Sequence, residues 1–228
     1  TMLTQLQLHS CQMSDGKLDL IVLPESAVPY YTTQDNFVTR RTDTYHLEFE
    51  HMAQLLGYNW NTEVFLNEIA LELARDRVSG RPRIEAYNSS VLFSRDGVRR
   101  DFYHKRELLA WGEYIPGVEF LEKTGLIFLV PEIVRYSRFG RGKESSLIAY
   151  SRRNIDTPSR FEKPLEEKEV ALLSPAELRK KFPTDRVFNP TGRFLPLICY
   201  EVLKPAYIRT FFENAENPDF IVNITQDG

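Results

Sequence analysis

Leu18 to Leu23 is a near-continuous apolar run that ends on Pro24-Glu25. Such a run reads as a strand buried on both faces, the kind found in a sheet covered by helices, and it puts Glu25 at a strand end. Further along, the apolar spacing changes. Leu47, Met52, Leu55 and Leu56 fall roughly on one side of a helix between Asp43 and Leu56, and Val64, Phe65, Ile69 and Leu73 do so between Asn61 and Arg77. Two helices are predicted there.

Ser89 to Ser94 is a short apolar strand, Arg95-Asp96-Gly97 supplies turn chemistry, and Val98 to His104 returns beside it as a hairpin. Lys105 follows that return directly. From Trp111 to Phe139 the chain is aromatic and punctuated by Gly and Pro, which predicts a structured loop; its apolar part, Trp111 to Val130, fits a core segment and an exposed apolar entrance equally well. Ser151 to Lys168 is polar and charge-rich, the best candidate for a mobile excursion. Ser174, Pro175 and Glu177 form a capping-box pattern for a small helix ahead of Leu178 and Phe182. The final stretch reads as strand, turn, helix, strand: Phe194 to Ile198, then Cys199-Tyr200-Glu201, Lys204 to Asn214, and Phe220 to Ile224. That order implies a parallel crossover and an α/β domain with Cys199 at the carboxyl end of a strand, where open α/β sheets place their chemistry.

Composition narrows the picture without changing it. A chain of 228 residues with 42% hydrophobic residues and 27% charged ones can organise one large core, and a single domain is expected. A formal charge of −3 shows no basic excess, so nucleic acid is not the expected partner. The longest uninterrupted apolar candidate, Gly125 to Val130, is far too short to cross a bilayer. Thr1 to Ser14 lacks a charged start followed by an apolar block and is not read as a secretory signal. The four histidines lack zinc-ligand spacing, and Gly140-Arg141-Gly142-Lys143 has Ser137 and Glu144 where a phosphate loop needs Gly and Ser or Thr.

Cys11 and Cys199 are the two cysteines. Cys11 sits in a short amphipathic stretch and reads as packing. Cys199 is different, because a thiol at a sharp strand-to-helix turn is held out of the sheet with peptide N–H groups close by. To act as a nucleophile it needs a base or a cation, and Glu25 and Lys105 stand at independent strand ends. Taken singly these residues are ambiguous: Glu25 suits a helix cap or an Arg partner, Lys105 and Glu113 suit the surface, and Glu201 suits a helix start.

The words around them carry more. Leu23-Pro24-Glu25-Ser26, Tyr103-His104-Lys105-Arg106-Glu107-Leu108 and Leu197-Ile198-Cys199-Tyr200-Glu201, in this order, resemble the carbon–nitrogen hydrolase, or nitrilase, superfamily. Trp111-Gly112-Glu113-Tyr114-Ile115-Pro116, Tyr87-Asn88-Ser89 and Asn223-Ile224-Thr225-Gln226-Asp227-Gly228 are similar to the apolipoprotein N-acyltransferase family within it. Gln226 stands where that family usually has Asn. The resemblance runs from about Asp19 to Gly228 and is weaker over Thr33 to Trp60 and Ser151 to Arg186.

The resemblance implies an α/β, nitrilase-like αββα sandwich, incomplete at both ends in this chain, as one catalytic domain over 1–228 with a polar excursion at about 151–186. It implies Glu25 as general base, Cys199 as nucleophile and Lys105 as the cation beside the oxyanion, with Glu113, Tyr200 and Glu201 in support and no metal or organic cofactor. The implied reaction takes an acyl chain from a membrane phospholipid as a Cys thioester and passes it to the N-terminal cysteine amine of an apolipoprotein. The expected setting is the bacterial inner membrane, with this domain on the periplasmic side and the membrane portion in other parts of the parent protein. A soluble amidase or nitrilase with the same triad is the alternative, and a non-catalytic binding domain the third reading.

Overall fold

The computed structural model describes residues 18–26, 31–32, 53, 56–57, 62–75, 80–95, 97–130, 139–143, 146–152, 180, 190–213 and 217–225. The predicted capped helix after Ser174 and most of the polar excursion fall outside these, as do Cys11 and most of the helix predicted from Asp43 to Leu56.

The first sheet contains β1 (Leu20–Val22), β2 (Tyr31–Thr32), β3 (Glu63–Arg75), β4 (Pro82–Phe93) and β5 (Arg99–His104). Its order is β1-β3-β4-β5, with β2 also pairing with β3. β1 and β2 run parallel to β3, while β3, β4 and β5 are antiparallel neighbours. The hairpin expected around Arg95 and Gly97 is present. Ser94 N–H donates to Val98 O at 2.9 Å, and Gly97 takes φ 70, a left-handed conformation that glycine adopts without steric cost.

β3 corrects the sequence reading, which made Asn61 to Arg77 a helix. Its alternate residues serve two cores. Phe65 enters the cluster shared with the second sheet, and Val64 and Leu66 enter a cluster on the opposite face with Leu23, Ala53, Leu56, Val91 and Phe93. Glu, Leu and Ala give the segment good helix propensity, but antiparallel pairing along its whole length with β4, from Val64↔Phe93 to Arg75↔Pro82, satisfies the backbone and buries both faces. Tertiary pairing overrides local propensity here. β1 differs in a smaller way: Val22 is exposed and Leu20 and Ile21 are half-buried, so this strand is not buried on both faces.

The second sheet is β6 (Ile148–Tyr150), β7 (Gly192–Ile198) and β8 (Phe220–Ile224), in that order. β7 and β8 are parallel and are joined through a 3-10 turn, Cys199–Leu203, and helix Pro205–Glu213. The predicted crossover is therefore realised. Pro205 opens the helix, where its missing N–H costs nothing. A shorter helix, Val118–Lys123, and a 3-10 turn, Leu126–Leu129, punctuate the aromatic loop. These two helices are α1 (Val118–Lys123) and α2 (Pro205–Glu213). Phe65 of the first sheet meets Phe194 of the second edge-on at 4.9 Å between ring centroids, and Tyr103 and Leu92 share their core with Ile148, Leu197, Ile224 and Phe211.

Candidate active site

Three strand ends converge. Glu25 lies just after β1, where Leu23 N–H donates to Phe65 O at 2.9 Å and extends the pairing with β3. The next residue, Ser26, has φ 59, unfavourable for a side chain with a Cβ, and its N–H is held by Asn67 Oδ1 at 2.9 Å. Lys105 follows β5. Its N–H donates to Asn88 O at 2.8 Å, and its carbonyl accepts from Gly142 N–H at 3.0 Å. A Cβ on Gly142 would sit 2.2 Å from the His104 carbonyl oxygen, so only glycine permits this approach. Cys199 follows β7 with φ 57, after Ile198 in an extended conformation at φ −123 and ψ 122. That abrupt change turns the thiol out of the sheet.

The Cys199 thiol lies within the fields of both the Glu25 carboxylate and Lys105. Burial first, then the negative charge of Glu25, pushes the thiol above its ordinary range, while Lys105 and the Tyr200 N–H pull the other way. The thiol therefore keeps its proton until reaction and holds it against a carboxylate that can accept it. Lys105 is buried, and its Nζ donates to Glu113 Oε1 at 2.8 Å; neither side chain is the free surface charge that each would be in isolation. Glu113 is fixed in turn by Leu109 N–H on Oε2 at 2.8 Å, within a turn where Trp111 takes φ 67. The Tyr200 side chain is exposed, and its contribution is the N–H at the sulfur.

Glu201 is fully buried and does not touch the thiol. Its carboxylate accepts from Tyr103 Oη at 2.8 Å and Ile198 N–H at 2.9 Å through Oε2, and from Arg106 and Glu107 N–H at 2.8 and 2.9 Å through Oε1. One side chain thereby joins the segment after Lys105 to the turn that carries Cys199. Burial is the main cause that raises its pKa, and these donors oppose it. Tyr103 and Tyr207, whose hydroxyls lie 2.5 Å apart, are both raised, first by burial. This is a stronger role for Glu201 than a favourable charge at a helix start.

Sequence reasoning missed Asn67, and it met Asn88 only within the word Tyr87-Asn88-Ser89, without a role. The Asn88 Nδ2 group donates to Glu25 Oε1 at 2.9 Å and to Glu113 Oε1 at 3.0 Å, and Asn67 Nδ2 donates to Asn88 Oδ1 at 2.8 Å. The available signal was an asparagine in the middle of each of two long strands, a residue that strands disfavour. Mistaking β3 for a helix hid the one at Asn67. Among the described residues, no group of three or more His, Cys, Asp and Glu is placed to hold a metal ion, and no helix is long and apolar enough to cross a membrane.

The carbon-nitrogen hydrolase family model matches residues 2–227. A relative named apolipoprotein N-acyltransferase 2, from Leptospira interrogans, is 34% identical over 222 residues, covering 92% of this chain and 35% of its own length. Apolipoprotein N-acyltransferase 1 from the same species is 29% identical over 216 residues, 91% of this chain and 34% of its own. The chain thus spans about a third of the length of these curated relatives. Among solved structures, a carbon-nitrogen hydrolase from Helicobacter pylori G27 superposes with a TM-score of 0.50 at 14% identity, covering 97% of this chain and 52% of that one, a likeness of fold. With a strand-end thiol, carboxylate and lysine gathered on a two-sheet α/β frame, and the family model matching nearly its full length, this chain belongs to the carbon-nitrogen hydrolase family.

Proposed function

We propose that this chain is the catalytic domain of an apolipoprotein N-acyltransferase, with Cys199 as nucleophile, Glu25 as general base and Lys105 as the oxyanion cation. The observation that carries the reading is the Cys199 thiol at positive φ, within the fields of Glu25 and Lys105, which Asn88 and Glu113 link to each other by hydrogen bonds; the names of the relatives supply the acyl transfer. In the first half-reaction Glu25 takes the thiol proton as sulfur attacks the ester carbonyl of a phospholipid. The carbonyl oxygen becomes an oxyanion facing Lys105 and the Tyr200 N–H. Its collapse breaks the ester bond, and Glu25 returns the proton to the leaving lysophospholipid oxygen, which leaves a Cys199 thioester. In the second, the α-amine of an apolipoprotein's N-terminal cysteine attacks the thioester, Glu25 takes the amine proton and passes it to the departing sulfur. The product is an amide, and the thiol is restored.

Pairing with Glu113 holds the Lys105 ammonium in place, so the charge is present before the oxyanion forms. Exposed Trp111, Phe120, Phe128 and Leu129 beside this loop favour the acyl-chain entrance over a core segment. The reading places the parent protein in the bacterial inner membrane with this domain on the periplasmic side. Incubating the full-length parent protein with phospholipid vesicles and measuring intact mass tests it. The expected result is an acyl adduct that Cys199→Ala lacks and that a peptide with a free N-terminal cysteine discharges as an N-acyl product. Release of free fatty acid or ammonia from simple amides, with no transfer to the peptide, would instead establish an amidase.

A further inference from the structure

Asn67 lies in β3, away from the reacting atoms, yet it determines how the polar end of the site is oriented. Its side chain makes three hydrogen bonds, two of them to backbone groups whose polarity cannot change. Oδ1 accepts from Ser26 N–H at 2.9 Å, and Nδ2 donates to Ser89 O at 2.8 Å. Those two contacts settle which end of the Asn67 amide is oxygen and which is nitrogen. The remaining Nδ2 hydrogen points at Asn88 Oδ1 at 2.8 Å, so the Asn88 amide is oriented as well. Both Asn88 Nδ2 hydrogens then face carboxylates, Glu25 Oε1 at 2.9 Å and Glu113 Oε1 at 3.0 Å. Asn67 is nearly inaccessible to solvent, and no water can substitute for a lost donor without rebuilding the pocket.

We propose that Asn67 is a positioning residue for this site: it keeps the Asn88 amide with its hydrogens toward Glu25 and Glu113, and it holds the turn that carries Glu25 through the Ser26 amide. The inference rests on the reading of Glu25 as the base for Cys199. If the Asn88 amide reversed, its oxygen would face two carboxylates, and Glu25 would lose a hydrogen-bond donor. The charged and titratable groups gathered there are Glu25 after β1, Lys105 after β5, Glu113 in the following turn and Cys199 after β7. A weakened carboxylate–amide contact shows first in the pH profile of Cys199 reactivity.

The test is the rate at which iodoacetamide alkylates Cys199 in the full-length protein, followed by peptide mass mapping across pH. It needs neither phospholipid nor acceptor. Asn67→Asp preserves the acceptor for Ser26 N–H but replaces both donors with an acceptor, which forces the Asn88 amide to reverse. The acid limb of the alkylation profile is expected to move up by about one pH unit. Asn67→Ala, which adds no charge, moves it the same way by less, and it decides the question if Asn67→Asp does not fold. Both variants folded with the acid limb of the wild-type protein would overturn the proposal. Should Glu25→Gln leave the wild-type profile unchanged, the base assignment itself fails and this inference with it; a limb that Glu25→Gln removes and Asn67→Asp leaves in place sinks the Asn67 role alone.

Discussion

Glu201 joins the segments that carry Lys105 and Cys199 without a hydrogen bond to either side chain. A carboxylate removed from water is costly unless each lone pair finds a donor, and here Tyr103, Ile198, Arg106 and Glu107 all donate to it. Glu201→Gln keeps the shape but turns one oxygen into a donor that faces donors. Because one partner of a buried network is removed while the others stay buried, the loss is expected to be about 3 kcal/mol, read as a lower denaturant midpoint at unchanged slope. The same variant uncouples the Lys105 segment from the Cys199 turn, so thiol alkylation should slow even where the protein remains folded. A variant with wild-type stability and wild-type alkylation would contradict this role. The residues at strand ends, Glu25, Lys105 and Cys199, were legible because they follow predicted strands and sit within family-like words. Asn67 was not, and Asn88, though inside the word Tyr87-Asn88-Ser89, showed no role, since the contacts of both depend on cross-strand register, which no single segment displays.

At the level of elements, legibility followed how local the determining interactions are. The hairpin of β4 and β5 is specified by a turn with Gly97 at its corner, and the β7–α2–β8 crossover by apolar runs and Pro205. Both were readable. β3 was not, because its sequence is a good helix by composition and becomes a strand through partners on both sides. Its first residue, Glu63, records the consequence of that burial. The side chain is 1% exposed, accepts from Ser151 N–H at 3.1 Å and has its pKa raised to about 7, chiefly by burial and against the opposing pull of Arg95. For a carboxyl whose folded pKa exceeds its unfolded value, the folded state binds more protons between the two, so stability falls as pH rises through that interval. The window here runs from 4.5 to about 7, and the full effect is on the order of 3 kcal/mol. Glu63→Gln removes the titration. Compared with the wild-type protein by urea unfolding at pH 5 and pH 8, it should gain relative stability at the higher pH; equal differences at both would refute the assignment.

Among the described residues the two sheets share a core, and the aromatic loop that carries Glu113 leaves large apolar side chains in solvent. Phe120, Phe128 and Leu129 are each 65% exposed and Trp111 56%, and the 3-10 turn Leu126–Leu129 contains no buried residue. Large apolar side chains exposed together in one loop mark a site of interaction. In the proposed acyl transfer that surface meets lipid, which a water-soluble acyl donor would not require. Each of these side chains is worth roughly 1.5–3 kcal/mol when moved from water to an apolar phase, so the three most exposed should contribute strongly to engagement of vesicles even if they insert only in part. Replacing Phe120, Phe128 and Leu129 together with Ser is expected to raise the apparent KM for vesicle phospholipid by at least about tenfold. The rate of Cys199 alkylation should not change, because none of the three contributes to the Glu25, Lys105 and Asn88 network. An unchanged KM would assign the tip to another partner, and a fall in alkylation would mean that the loop supports the site from within.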